Sequence, residues 1–210
     1  MDKKFIGFLV VFGLVTIWSG YNAFDTTLWF LEAGICLVGV AVLAITYHKF
    51  RFTDLSYIFI LVHLIILLIG AHYSYAEEPF FNWLRDYFDL KRNNFDKVGH
   101  FAQGFVPALI TRELLIRLHV IEKKSWLPFF VVCVALSISA FYEFIEWWAS
   151  GIFKQAAEDF LGTQGYIWDT QSDMFCAFIG AITMLVLLSK LQNKQISKLE
   201  RKTHKNAQVN

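Results

Sequence analysis

The chain lacks much of what a soluble enzyme carries on its surface. Only 18% of its 210 residues are charged, against about 25% in an average globular domain. Lysine and arginine number 19, and aspartate and glutamate 18. No excess of one sign draws the chain to nucleic acid. The three cysteines, Cys36, Cys133 and Cys176, stand singly in apolar runs. With no CxxC or Cys/His spacing, neither a thiolate zinc site nor a disulfide framework is expected. All three read as small core- or lipid-facing residues. There is no GxSxG, internal repeat or Gly/Ser linker, which argues against a serine nucleophile, a solenoid and a flexibly tethered pair of domains.

What remains is strongly apolar. Hydrophobic residues make up 56% and aromatics 18%, and the mean hydropathy is +0.46. A bilayer core of roughly 30 Å needs about 20 apolar residues as helix. Six runs meet or approach that length: 5–21, 28–46, 55–71, 96–118, 126–148 and 168–188. Each must be helical, because an open strand edge in lipid leaves backbone groups unpaired. The expected fold is an all-α polytopic bundle of six transmembrane helices over residues 1–189. A basic tail, 190–210, follows as a fraying helix extension. The first run is long for the core of a signal peptide and reads as a retained anchor.

The basic residues set an orientation. Lys3, Lys4, Lys49, Arg51, Arg117, Lys123, Lys124 and the tail lysines from Lys190 to Lys205, with Arg201, fall on one side of a six-span chain. That side is expected to be cytoplasmic, with both termini there. Trp18, Trp29, Trp83, Trp147, Trp148 and Trp168 map to the opposite interface, and only Trp126 to the basic one. Two outer loops are long. Residues 79–88 (PFFNWLRDYF) read as a short amphipathic helix on the outer face. Residues 149–167 carry Lys154, Glu158 and Asp159 before a turn at Gly162-Thr163-Gln164-Gly165. The tail serves as the topology signal, with binding of anionic headgroups as the alternative.

The chemistry gathers where the last three spans reach the outer face. The fourth opens with Asp96, Lys97 and His100; the fifth closes with Glu143 and Glu146; the sixth opens with Asp169 and Asp173. Spacings of three and four put each pair on one helix face, and alternating helix direction puts all three at similar depth. Two unit charges 4 Å apart interact by about 4 kcal/mol at an effective dielectric of 20, so five carboxylates need compensation. A divalent cation, bound protons, or Arg92 and Lys97 would supply it. Oxygen ligands with one imidazole suit Mg²⁺, Mn²⁺ or Zn²⁺. Asp96, His100, Glu143, Glu146, Asp169 and Asp173 are therefore the candidate metal ligands and catalytic groups, with His100 as ligand or acid/base. Arg92 and Lys97 are the candidate phosphate binders. Two other readings stay open: plain interhelical hydrogen bonds and ion pairs, or a proton or ion relay.

Other polar residues fill in the picture. Pro107 frees the carbonyl of Gln103 and can aim that side chain at the cluster. Glu32 and His72 are within reach of joining it. His63 reads as an interhelical hydrogen-bonder. Arg112, Glu113 and Arg117 lie about 24 Å along the fourth helix and read as an inner anchor. There Glu113 pairs with Arg117 and Arg112 snorkels. Ser137 and Ser139, near Ala135 and Ala140, offer small surfaces for close helix contact.

Several segments together carry a resemblance: 92–101 (RNNFDKVGHF), Arg112-Glu113, 142–147 (YEFIEW) and 164–174 (QGYIWDTQSDM). They resemble the YjdF family of bacterial inner-membrane proteins, whose domain has no known function, and the likeness covers nearly the whole chain. It implies a multi-pass inner-membrane protein and no established activity. Asp96, Lys97, His100, Phe101, Glu143 and Asp173 also resemble part of the VanZ-like pattern. Glu146 stands where that pattern has Gln, and Ala177 where it has Asn. Only a shared helical core and an envelope-facing site are carried over. The expected role is metal-assisted handling of a phosphate-bearing lipid or envelope precursor. The alternatives are an ion-coupled transporter or a non-enzymatic lipid- or partner-binding module. Membrane lipids are the expected partners, and neither a nucleic acid nor a protein partner is indicated.

Overall fold

Most helices begin where a short acceptor side chain meets an apolar run. In this computed structural model, which describes residues 1–152 and 164–207, Asp2 caps α1 (Lys3–Gly20) and Asp25 caps α2 (Thr26–Thr46). Thr53 caps α3 (Asp54–Tyr73). Glu78 caps α4 (Pro79–Tyr87), whose first residue is a proline with no donor to satisfy. Next come α5 (Phe95–Arg117), α6 (Leu127–Ile152) and α7 (Asp169–Ala207). No strand occurs among the described residues.

Five of these segments are long and apolar enough to cross a membrane: α1, α2, α3, the α6 region and α7. The remaining long helix, α5, carries Asp96, Lys97, Arg112, Glu113 and Arg117. It nevertheless runs beside α7 over the same depth. Near one end Lys97 bonds to Asp169 and Asp173, and near the other Arg112 bonds to Gln192 and Asn193. Its polarity is hidden because it lies at the centre, packed on α3, α6 and α7. The other hub is α3, which joins α1 and α2 to α5.

The two ends of the bundle differ in charge. At the basic end, Arg51 pairs with Asp2 and Asp54, Lys4 reaches Asp54, and Gln195 accepts from the Leu55 backbone. Glu113 pairs with Arg117 there, 2.8 Å apart, as expected. Two further findings go beyond the expected anchor. Glu113 also accepts from the backbone and hydroxyl of Thr53 and from Ser56 Oγ. Arg112 does not snorkel: it is buried, with Nη1 2.8 Å from Gln192 Oε1 and Nη2 2.7 Å from Asn193 Oδ1.

Between the ends lies an apolar layer that includes Leu64, Phe105, Leu109, Val131, Ala181 and Met184. His63, expected to bond across helices, instead leaves Nε2 buried without a hydrogen-bond partner. Of the small residues of α6, Ala135 and Ser139 are fully buried. Ser137 is exposed and bonds its own helix at Cys133. A close backbone contact joins α5 and α7. A Cβ at Gly104 would land on the Ala177 carbonyl, and one at Gly180 on that of Phe101.

The apolar runs locate the long helices well. The last helix continues unbroken from Asp169 to Ala207, so the basic tail extends the helix as expected. Hydropathy marks where lipid ends, whereas the Gln-, Lys- and Leu-rich continuation keeps forming helix. Trp18, Trp83, Trp126, Trp147, Trp148 and Trp168 are all exposed on the bundle. Trp29 instead donates to Ser19 Oγ. Lys154, Glu158, Asp159, Gly162 and Thr163 lie outside the described residues.

Candidate functional site

The start of α5 is held by a loop that aims its charges. Asn93 is fully buried, and its Oδ1 accepts from the Phe95 N–H. Its side-chain amide donates to Glu78 O and Asn82 Oδ1. Its backbone exchanges two bonds with the Gln164 side chain, each 2.9 Å. This pins the loop before α5 to the residues before α7. The neighbouring Arg92 and the first turn of α5 then face the first turns of α7.

An outer layer of ion pairs follows. Arg92 Nη1 is 2.5 Å from Asp169 Oδ1, and Arg92 Nη2 is 3.6 Å from Asp96 Oδ2. The Arg92 guanidinium also lies over the Tyr166 ring. Lys97 Nζ bridges Asp169 at 2.7 Å and Asp173 at 2.5 Å, with Asp96 at 3.3 Å. Arg92 and Lys97 thus lie against the carboxylates of α5 and α7.

Beneath it lies a second layer around His100. Its Nε2 is 3.2 Å from Asp96 Oδ1 and 3.9 Å from Asp173 Oδ1. Its Nδ1 is 3.2 Å from Gln103 Oε1 and 3.8 Å from Glu143 Oε1. That glutamate oxygen is buried with no hydrogen-bond partner. A small cavity of about 20 Å³ is lined by Tyr75, Asp96, His100, Gln103, Tyr142 and Glu146, among others. It has room for a single water or ion.

Glu32 closes the cluster from α2. It is buried, and its Oε2 accepts from Tyr142 at 3.0 Å and Tyr75 at 3.4 Å. Burial pushes the Tyr75 phenol well above its usual range, so it stays a donor. The Tyr75 ring sits where side chains at Gly70 and Gly99 would otherwise project. Tyr75 and Tyr142 were not anticipated as members, because their Glu32 contacts join residues far apart in the chain. His72, the other residue considered, instead bonds to Ser19 O and packs on Trp18.

The six expected metal or catalytic groups thus converge with Arg92, Lys97, Gln103 and Glu32. Six buried carboxylates (Glu32, Asp96, Glu143, Glu146, Asp169 and Asp173) face two permanent cations and one imidazole. Such an excess of negative charge calls for bound protons or a cation. Ligand atoms of Asp96, His100 and Asp173 lie within 4.8 Å of one another, the donor set of a hard or borderline divalent ion.

The family described as "Predicted membrane protein (DUF2238)" matches residues 5–194. The chain is 44% identical over 183 residues to inner membrane protein YjdF of Escherichia coli K12, covering 87% of this chain and 88% of that protein. No solved structure matches it. The chain belongs to the DUF2238 family of predicted membrane proteins.

Proposed function

We propose that this YjdF-like membrane protein uses a divalent cation at its carboxylate end to handle a phosphate-bearing lipid or envelope precursor. The observation carrying this reading is the proximity of Asp96, His100 and Asp173, whose ligand atoms lie within 4.8 Å. In it these three residues hold the ion. Glu143, with its unpartnered oxygen, and Glu146 serve as bases, and Asp169 shares the charge of Lys97 and Arg92. Lys97 and Arg92, which lie against Asp173 and Asp169, would bind the phosphate. The ion would polarise the phosphate and activate a water.

The site faces outward and both termini lie in the cytoplasm in this reading, which the concentration of lysine and arginine at the basic end supports. An ion-coupled transporter would need a polar path to Arg112 and Glu113. The apolar layer of Leu64, Phe105, Leu109 and Met184 argues against one. A module that only binds lipid would tolerate loss of the metal-binding triad without loss of chemistry.

The test is the thermal midpoint of the purified protein in detergent during titration with Mg²⁺, Mn²⁺ and Zn²⁺. A ligand at 100 times its Kd stabilises by about 2.7 kcal/mol. A saturable shift abolished by Asp173→Asn and His100→Ala, with metal-dependent phosphate release from a lipid phosphate, supports the reading. Absence of any shift overturns it.

A further inference from the structure

At the opposite end, about 24 Å along α5, a cleft of about 690 Å³ opens between α5, α6 and α7. Its walls combine two kinds of surface. Leu115, Leu127 and Leu185 are apolar, while Arg112, His119 and Lys124 bring positive or titratable groups. Along α7 the lining runs from Leu185 to Glu200, about 22 Å at helical rise. That is long enough for a headgroup and part of an acyl chain.

Arg112 gives the cleft its chemistry. Its guanidinium is buried, yet it forms no ion pair with a carboxylate among the described residues. Its recorded partners, Gln192 and Asn193, are neutral amides. Gln192 is itself fixed by donating to Leu109 O at 2.7 Å. The contrast with its neighbours is sharp: Arg117 has Glu113, and Arg51 has Asp2 and Asp54. Glu200, the one acidic residue in the lining, stands about 10 Å further along α7 than Asn193. A buried guanidinium held only by neutral acceptors keeps its charge and spare N–H donors for an anion.

We propose that this cleft binds an anionic phospholipid of the surrounding leaflet. Its phosphate pairs with Arg112 and Lys124, and its acyl chains lie along Leu115, Leu127 and Leu185. The apolar wall selects a lipid over a free anion, and the cations select an anionic headgroup over a zwitterionic one. The inference does not depend on the metal site.

The experiment uses the full chain in neutral detergent, delipidated, with native mass spectrometry and thermal midpoint as readouts. Phosphatidylglycerol, phosphatidylcholine and inorganic phosphate are titrated separately. Saturable binding and stabilisation by phosphatidylglycerol are expected, with affinity reduced about tenfold, or 1.4 kcal/mol, in Arg112→Gln. Lys124→Gln, at an exposed position, reduces it several-fold. Ser189→Trp, which fills the cleft from α7, also blocks binding. If Arg112→Gln does not fold, the Lys124 and Ser189 variants decide. Equal binding of phosphatidylcholine, equal stabilisation by inorganic phosphate, or unchanged affinity in the variants overturns the proposal.

Discussion

The Glu113 carboxylate, late in α5, receives both the backbone N–H and the hydroxyl of Thr53, each at 2.8 Å, across sixty residues of chain. Thr53 is the N-cap of α3, so one helix satisfies the open donors of another. Ser56 and Arg117 donate to the same carboxylate. Glu113 is completely buried. Glu113→Ala leaves Arg117 and the α3 terminus without their acceptor and is expected to cost about 3–5 kcal/mol. Glu113→Gln keeps the shape but loses the charge and costs about 1–3 kcal/mol. Thermal midpoints in detergent should rank wild type above Gln and Gln above Ala. Equal midpoints would refute the capping role.

The contact of Gly104 with Ala177 sets the distance between α5 and α7, and thereby holds Lys97 against Asp173. A methyl at Gly104 collides with backbone, which cannot swing aside as a side chain can. Gly104→Ala is expected to cost about 1–3 kcal/mol by overpacking and to weaken any metal-induced stabilisation. Gly7→Ala is the control, because a Cβ there meets nothing within 4 Å. A Gly104→Ala protein with wild-type midpoint and metal response would show that the helices have slack.

Lys97 separates the metal reading from simple ion pairing. Its ammonium lies 2.5 Å from Asp173 and 2.7 Å from Asp169, so a divalent ion on Asp173 competes with it. Lys97→Met is expected to lower the midpoint without metal, because it leaves repelling carboxylates. It should also enlarge the stabilisation by Mg²⁺ or Mn²⁺ and lower the concentration needed. Should the variant be destabilised equally with and without metal, Lys97 is a structural counter-ion only.

Much of this arrangement is legible from the residues because lipid leaves few alternatives. A run such as 28–46 has to be a helix, and Asp96, Glu143 and Asp173 must share a depth if successive helices alternate. Arg112 was read differently because snorkelling depends on whether an acceptor waits nearby, and Gln192 and Asn193 lie eighty residues away. Glu32 could only be placed near the cluster, not in it, until Tyr142 and Tyr75 were found to donate to it. Gly104 carried no signal because a glycine in an apolar run says nothing of what it faces.

Asp2 gives a pH dependence whose sign can be worked out. The Phe5 backbone N–H and then Arg51 hold its carboxyl below the ordinary range, which for aspartate is about 3.9. A carboxyl depressed on folding stabilises fully above its unfolded value and loses that contribution as pH falls through its folded value. Asp2→Ala removes both the α1 cap and the Arg51 pair, whereas Asp2→Asn keeps the cap. Near neutral pH the midpoints should therefore fall in the order wild type, Asn, Ala. The gap between wild type and Asn is the charged part alone. It should shrink as pH drops below about 4, while the gap between Asn and Ala persists. A wild-type-to-Asn gap independent of pH would mean that Arg51 draws nothing from Asp2 and that its partner in stability is Asp54.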